Sequence, residues 1–412
     1  MRTRMLAVAT ALTGFLAAVI AIQPASAASV TPPTQDPFYA VPTGIAGLPN
    51  GTVLASRPVN ASFYSLPMPA AAWQVQYKTL DNQNQPTADV TTVLVPLAPW
   101  LGPGPRPLLS YQVAEDGVGL DCSPSYALQT GLPSLGSNAE LETGLIALAL
   151  LQGWAVTVPD YEGPDSAFLG ATGEAHGVLD AIRATRSFAP AQVSPAAPIG
   201  MWGYSGGAFA TSVAAQMQPA YAPELHLAGI ALGGEVASIK ATLADFSGSV
   251  LGGALVVGII GIDRSFPSAD ISQYLNAAGQ AAMAAGQSDC INAAAIQFPF
   301  ASLNEYQAAP NTINNPTLDA LLAGDSPLGF AGNPSAPVYD YHAVLDEYAP
   351  LSDDRQLMAR YCAAGVPVDH VEDLVGEHIS ETITGAPGAI AFLSSRFDGA
   401  PVVNNCGQFP TS

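Results

Sequence analysis

The chain has 412 residues, of which 49% are hydrophobic and only 11% charged, with 39 glycines and 36 prolines. Twelve basic residues face 33 acidic ones, a formal net charge of −21 at pH 7, and just two of the basic residues are lysines, Lys78 and Lys240. Such a surface repels nucleic acid and anionic membranes and suits neutral substrates, which excludes functions built on a basic patch.

The first residues carry Arg2 and Arg4, then an apolar stretch at 5–22, then Ala25-Ser26-Ala27. A positive start, an apolar middle and a small-x-small end predict a secretory signal peptide over 1–27, cleaved after Ala27. Thr10, Thr13 and Gly14 interrupt the apolar stretch, which argues against a retained anchor and so against stable membrane insertion. The mature protein is expected to be secreted, extracellular or associated with the cell envelope. It would keep about 385 residues, ten basic against 33 acidic, with a net charge of about −23, and that length suffices for a large core. Export also decides how the cysteines are read. Cys122, Cys290, Cys362 and Cys406 are even in number, far apart and free of any Cys-x-x-Cys pair, the pattern of two structural disulfides rather than of a metal or redox site. Three connectivities stay open at this point.

Residues 31–57 are rich in Pro and Gly and read as an extended arm around the core. Strand-like segments at 73–80 and 90–95, separated by a polar turn at 81–86, predict a hairpin. Short apolar runs predict strands at 108–113, 154–159, 198–202 and 227–232, and helical patterns occur at 141–151, 173–188 and 208–217. The segment 238–335 breaks this rhythm, with an uncharged stretch at 250–262 and an Ala-rich helical run at 271–286. Thirteen apolar residues are too few to span a bilayer. The segment reads as an inserted cap whose apolar side chains pack a core or line an acyl channel. From 337 the rhythm resumes, with strands at 338–345 and 366–371 and helices at 352–364 and 386–397. The predicted class is therefore α/β, a mostly parallel sheet with its core in 28–237 and 336–412 and a helical cap at 238–335. Ligands of such sheets sit at the carboxyl ends of the strands.

Gly203-Tyr204-Ser205-Gly206-Gly207 follows one predicted strand and opens a helix. Strand, Gly-x-Ser-x-Gly, helix is the nucleophile elbow of the α/β-hydrolases, a turn whose strained backbone presents a serine hydroxyl. Serine needs a histidine to take its proton and a carboxylate to orient that histidine, in the chain order Ser, acid, His. Of five histidines, His176 precedes Ser205 and His226 follows it too closely, while His342 and His370 lie inside predicted strands. His378 falls in the polar loop Gly376-Glu377-His378 before the last helix and is the assigned base. Asp346 follows the strand at 338–345 and is the assigned acid, with Glu347 as fallback; Asp353 and Asp354 suit a helix N-terminus better. The backbone N–H of Gly206 is one expected oxyanion donor, and the other must come from the loop 111–117, whose donor group is left open.

Taken together these residues resemble the secretory lipase family, α/β-hydrolases of the fungal lipase A type. The resemblance runs from Asp36-Pro37-Phe38-Tyr39 to Cys406 and includes Tyr111-Gln112-Val113-Ala114-Glu115-Asp116, Leu120-Asp121-Cys122-Ser123-Pro124-Ser125-Tyr126, Pro159-Asp160-Tyr161-Glu162-Gly163-Pro164, the elbow, and Asp346-Glu347. It implies Ser205, Asp346 and His378 as the triad, Asp116 and Gly206 at the oxyanion hole, and disulfides Cys122–Cys290 and Cys362–Cys406. The implied activity is carboxylic ester hydrolysis, in first place of triacylglycerols, with an ester or lipid as substrate and no cofactor or metal. The alternatives are a carboxylesterase for short-chain or polymeric esters and a non-catalytic envelope binding protein.

Overall fold

The computed structural model describes residues 30–64, 66–130 and 139–410, so the signal peptide expected at 1–27 lies outside the described residues. The arm expected at 31–57 does more than wrap: after two short 3-10 turns it forms β1 (Val53–Val59), the first strand of the sheet. β1 pairs antiparallel with β2 (Ala70–Leu80), which pairs over its whole length with β3 (Pro86–Pro96), the predicted hairpin. Then come β4 (Leu108–Gln112), α1 (Pro124–Thr130), α2 (Ala139–Leu151), β5 (Ala155–Pro159), α3 (Ala171–Ser187), β6 (Ile199–Tyr204), α4 (Gly206–Tyr221) and β7 (Leu227–Gly233). Six helices follow, α5 (Ile239–Phe246), α6 (Gly253–Ser265), α7 (Ala277–Ala285), α8 (Ile291–Gln297), α9 (Leu303–Tyr306) and α10 (Pro316–Asp325). The chain returns to the sheet with β8 (Val338–Ala343), α11 (Leu351–Ala363) and β9 (Val368–Asp373), and closes with α12 (His378–Thr384) and α13 (Ala386–Phe397).

The nine strands lie in the order β1-β2-β3-β5-β4-β6-β7-β8-β9. From β5 to β9 every neighbouring pair is parallel, so six strands deliver their carboxyl ends to one edge. Every residue of β4, β5, β6 and β8 is buried, as a parallel sheet covered on both faces requires. Alternate residues serve opposite cores. Met201 belongs to one buried cluster with Leu179 of α3, Phe209 and Val213 of α4, and Leu255 of α6. Trp202 and Tyr204 turn the other way, toward Ile146 of α2 and Leu393 of α13.

Two details depart from the sequence reading. The Ala-rich run at 271–286 is broken into a 3-10 turn, Ile271–Tyr274, and α7, because Asn276 caps a fresh helix by accepting from the N–H groups of Ala278 and Gly279. The strand expected to reach 345 stops at Ala343, and that expected at 366–371 runs instead from 368 to 373. Both disulfides join the pairs that the resemblance implied. Cys122–Cys290 ties the loop after β4 to the start of α8, and Cys362–Cys406 ties α11 to the C-terminal segment.

Candidate active site

Ser205 sits between β6 and α4 at φ 54°, ψ −122°, a conformation that a non-glycine residue holds only when its surroundings fix it. Those surroundings are tight. A Cβ on Gly203 would stand 2.1 Å from the Gly207 carbonyl, and one on Gly207 would stand 2.0 Å from that of Gln112, so the motif needs glycine at both places. The Ser205 N–H donates to Gly233 O at 2.9 Å, which ties the elbow to the end of β7.

Loops after three of the parallel strands converge on the hydroxyl. Ser205 Oγ lies 2.8 Å from His378 Nε2, and His378 Nδ1 lies 2.7 Å from Asp346 Oδ2. The other oxygen of Asp346 accepts the backbone N–H groups of Tyr348 at 2.9 Å and Ala349 at 2.8 Å, so the carboxylate is held at both ends. Burial alone would raise the pKa of Asp346, but the hydrogen bond and charge of His378 hold it below the usual carboxylate range. For His378, burial works to lower the pKa, and the bond to Asp346 and its charge more than reverse this, so the imidazole titrates above its ordinary value.

His378 is not in the loop that its sequence neighbours suggested; it is the first residue of α12. Glu377 caps that helix through the N–H groups of Ile379 and Ser380, and Ser380 Oγ accepts the Glu377 N–H in return. Glu347, the fallback acid, bonds the backbone of His378 and not its ring: its Oε2 accepts the His378 N–H at 3.3 Å. The Tyr204 hydroxyl donates to the His378 carbonyl, and the rings of Tyr204 and Tyr348 flank the imidazole. The excluded histidines stay apart from Ser205. His370 is buried on β9, where it bonds Asp340, and His176 is buried on α3 against the Tyr221 ring.

The loop after β4 brings Asp116 to the same place, at φ 43°. Its carboxyl abuts Gly206: a Cβ there would meet Asp116 Oδ1 at 1.9 Å. Glu142, which the sequence reading passed over, and Tyr161, which it named only within a signature segment, brace this loop. Glu142, on α2, accepts from the Ala114 N–H at 2.8 Å and from the Tyr111 hydroxyl at 2.6 Å. Tyr161 donates its hydroxyl to Val113 O at 2.6 Å. A carboxylate in the otherwise apolar run 141–151 was the signal for Glu142. Below the loop, Asp160 accepts both the N–H and the hydroxyl of Ser125, at 2.8 and 2.5 Å, which joins two of the signature segments.

Ser205, His378 and Asp116 open into a cavity of about 980 Å³, its mouth included. Apolar side chains line most of it: Phe168 and Leu169 before α3, Ile239, Leu243 and Phe246 of α5, and Leu251 and Ala254 at α6. A neighbouring apolar cavity of about 450 Å³ among α5, α6 and α10 shares Leu243 with it.

A hydroxyl hydrogen-bonded to an imidazole, at the carboxyl edge of a parallel sheet and beneath an apolar cavity, defines the class: an ester-cleaving α/β-hydrolase. A family profile described as "Secretory lipase" matches residues 128–405, and the chain belongs to that family. It is 36% identical over 390 residues to "Lipase A" of Arthroderma benhamiae, covering 91% of this chain and 82% of the relative. It is equally 36% identical, over 379 residues, to the "Probable inactive lipase MT1628" of Mycobacterium tuberculosis, covering 90% of this chain and 84% of the relative. Among solved structures it is similar to Candida antarctica lipase A, with a TM-score of 0.83 and 29% identity over 93% of this chain and 92% of that one. The rice cell wall degrading esterase LipA of Xanthomonas oryzae shares the fold at a TM-score of 0.63 and 17% identity, covering 85% of this chain and 97% of that one.

Proposed function

We propose that this ester hydrolase is a secreted triacylglycerol lipase that works through a Ser205-His378-Asp346 triad and an acyl-enzyme. The continuous hydrogen-bond chain Ser205–His378–Asp346 at the floor of a cavity lined mostly by apolar side chains carries this reading. Ser205 Oγ attacks the ester carbonyl carbon while His378 Nε2 takes its proton, and Asp346 stabilises the imidazolium. The Gly206 N–H and the Asp116 turn hold the oxyanion. An ionised Asp116 would repel that charge, so the donor there is the protonated carboxyl or a backbone N–H. The tetrahedral intermediate collapses as His378 protonates the leaving alcohol, and water, deprotonated by the same imidazole, releases the fatty acid.

Helices α5 to α10, within the segment 238–335, act in this scheme as a cap that supplies the acyl pocket, tied to the oxyanion loop by Cys122–Cys290. The two disulfides and the leader at 1–27 fit an extracellular or envelope setting. A fluorophosphonate probe should label wild type and not Ser205→Ala, and long-chain triacylglycerol emulsions should be hydrolysed at least as fast as soluble short-chain esters. An unlabelled wild-type enzyme would end the acyl-enzyme reading. Labelling with turnover restricted to short chains would replace lipase by carboxylesterase.

A further inference from the structure

Behind Asp346 lies a second histidine. His342, on β8, is wholly buried, and its Nε2 lies 2.8 Å from Ala349 O and 3.4 Å from Asp346 Oδ2. A carbonyl oxygen only accepts, so Nε2 bears the proton and gives it to Ala349 O, while the Ala349 N–H donates to Asp346 Oδ1 at 2.8 Å. On the other side of the ring, Asp354 of α11, also wholly buried, has Oδ2 3.6 Å from Nδ1. Burial first, and then the charge and hydrogen bond of Asp340, push Asp354 well above the carboxylate range.

We propose that His342 is a positioning residue for the triad that acts through Ala349, whose carbonyl it holds and whose N–H donates to Asp346. The inference rests on the triad reading. By fixing Ala349, His342 keeps one of the two backbone donors, those of Tyr348 and Ala349, in place on the triad acid.

The other charged groups packed around His342 and Asp354 are themselves engaged. On β8 and β9, Asp340 accepts from His370 Nδ1 at 2.5 Å, and His370 Nε2 lies 3.1 Å from Glu372, which Arg355 of α11 holds at 2.8 Å. After β7, Glu235 accepts from Ser212 Oγ at 3.1 Å. Asp340, Asp354 and His370 place three potential ligand atoms within 4.8 Å of one another.

The test is a set of variants at position 342, each checked for folding by circular dichroism and thermal melting. In His342→Gln the amide nitrogen reaches the place of Nε2, and kcat should stay within about threefold of wild type. His342→Asn cannot reach that far, and His342→Leu carries no donor; both loosen Ala349 and its bond to the Asp346 carboxylate and should lose kcat by about tenfold or more, with KM little changed. With one donor loosened, the Asp346 carboxylate is less stabilised and holds the His378 imidazolium more strongly, so the acidic limb of kcat/KM in these two variants should move up by about half a pH unit or more. Folded His342→Asn or His342→Leu enzyme with wild-type kcat and an unmoved acidic limb would overturn the proposal while leaving the triad intact. So would a His342→Gln variant that falls as far as the other two. Loss of the triad itself is read separately, from Ser205→Ala and probe labelling.

Discussion

Replacing Gly206 by alanine tests the oxyanion assignment at its tightest point. The new Cβ would stand 1.9 Å from Asp116 Oδ1, whereas real Cβ contacts essentially never fall below 3.0 Å, so the Asp116 turn and the helix start must part by at least 1.1 Å. A misplacement of about 1 Å at a reacting centre lowers the rate by about 10²-fold, equivalent to about 2.7 kcal/mol of transition-state stabilisation. The Asp116 carboxyl ends a short side chain at a buried turn whose backbone carbonyl is held by the Ile291 N–H at 2.9 Å, so a rotamer change alone gives little relief. The assay is steady-state hydrolysis of a soluble p-nitrophenyl ester by folded variant and wild type. We expect kcat to fall by about 10²-fold with KM changed only a few-fold, because donors that meet the oxyanion act in the transition state. A folded Gly206→Ala enzyme with wild-type kcat would refute the placement of the oxyanion at Gly206 and Asp116. In Gly207→Ala the Cβ meets the Gln112 backbone at 2.0 Å, so that variant should lower the melting temperature as well as kcat.

Removing Cys122–Cys290 as a Cys122→Ser/Cys290→Ser pair opens a loop with a sequence separation of 168 residues. Loop-closure entropy puts the loss at about 5 kcal/mol, to be read from urea unfolding; a loss under about 1 kcal/mol would contradict it. Burial raises the carboxyls of Glu142 to about 8 and of Asp160 and Asp325 to about 7. Groups raised in the folded state add stability that is full below their unfolded values and lost as pH climbs through the folded ones. The melting temperature should therefore drop between about pH 5 and pH 8, and a flat profile by calorimetry would count against neutral buried acids. Because Asp346 raises His378, the acidic limb of kcat/KM should lie above the ordinary imidazole value of about 6.5. In Asp346→Asn, kcat should fall by about 10⁴-fold and that limb should move down; unchanged rates would remove Asp346 from the triad.

The strands and the elbow were legible because each depends on residues adjacent in the chain, and the alternation of strands with helices made a mostly parallel sheet legible too. Apolar runs flanked by turns mark buried parallel strands, and Gly203 and Gly207 answer contacts made within a few residues or by the neighbouring strand. The proposed triad was assigned by elimination, since chain order and strand ends left few candidates, and the structure places His378 within hydrogen-bond distance of both Ser205 and Asp346. What escaped depends on distant partners. β1 sits in a Pro- and Gly-rich stretch and is a strand because β2 lies beside it; Pro58 is tolerated at that outer strand. The helix that begins at His378 is capped by Glu377, a residue type outside the usual N-cap set, so the segment read as a loop. His342 was set aside for lying inside a strand. No local pattern announces that the loop after β8 folds back to place Asp346 beside it.

The stitching between the oxyanion loop and α8 carries a mechanical consequence. Besides the disulfide, Val118 N–H donates to Asp289 O and Ile291 N–H to Asp116 O, both at 2.9 Å, and Arg264 donates to Val118 O. On the proposed reading, lifting that flank of the helical segment would drag the oxyanion donors out of register, so the flank would serve as a fixed post. Among the described residues the cavity lining on the other side, at Phe246 and Leu251, lies at the turn from 247 to 252 between α5 and α6, where Val250 is 60% exposed and no such bonds tie it to the Asp116 loop. Any opening for substrate would fall on that side.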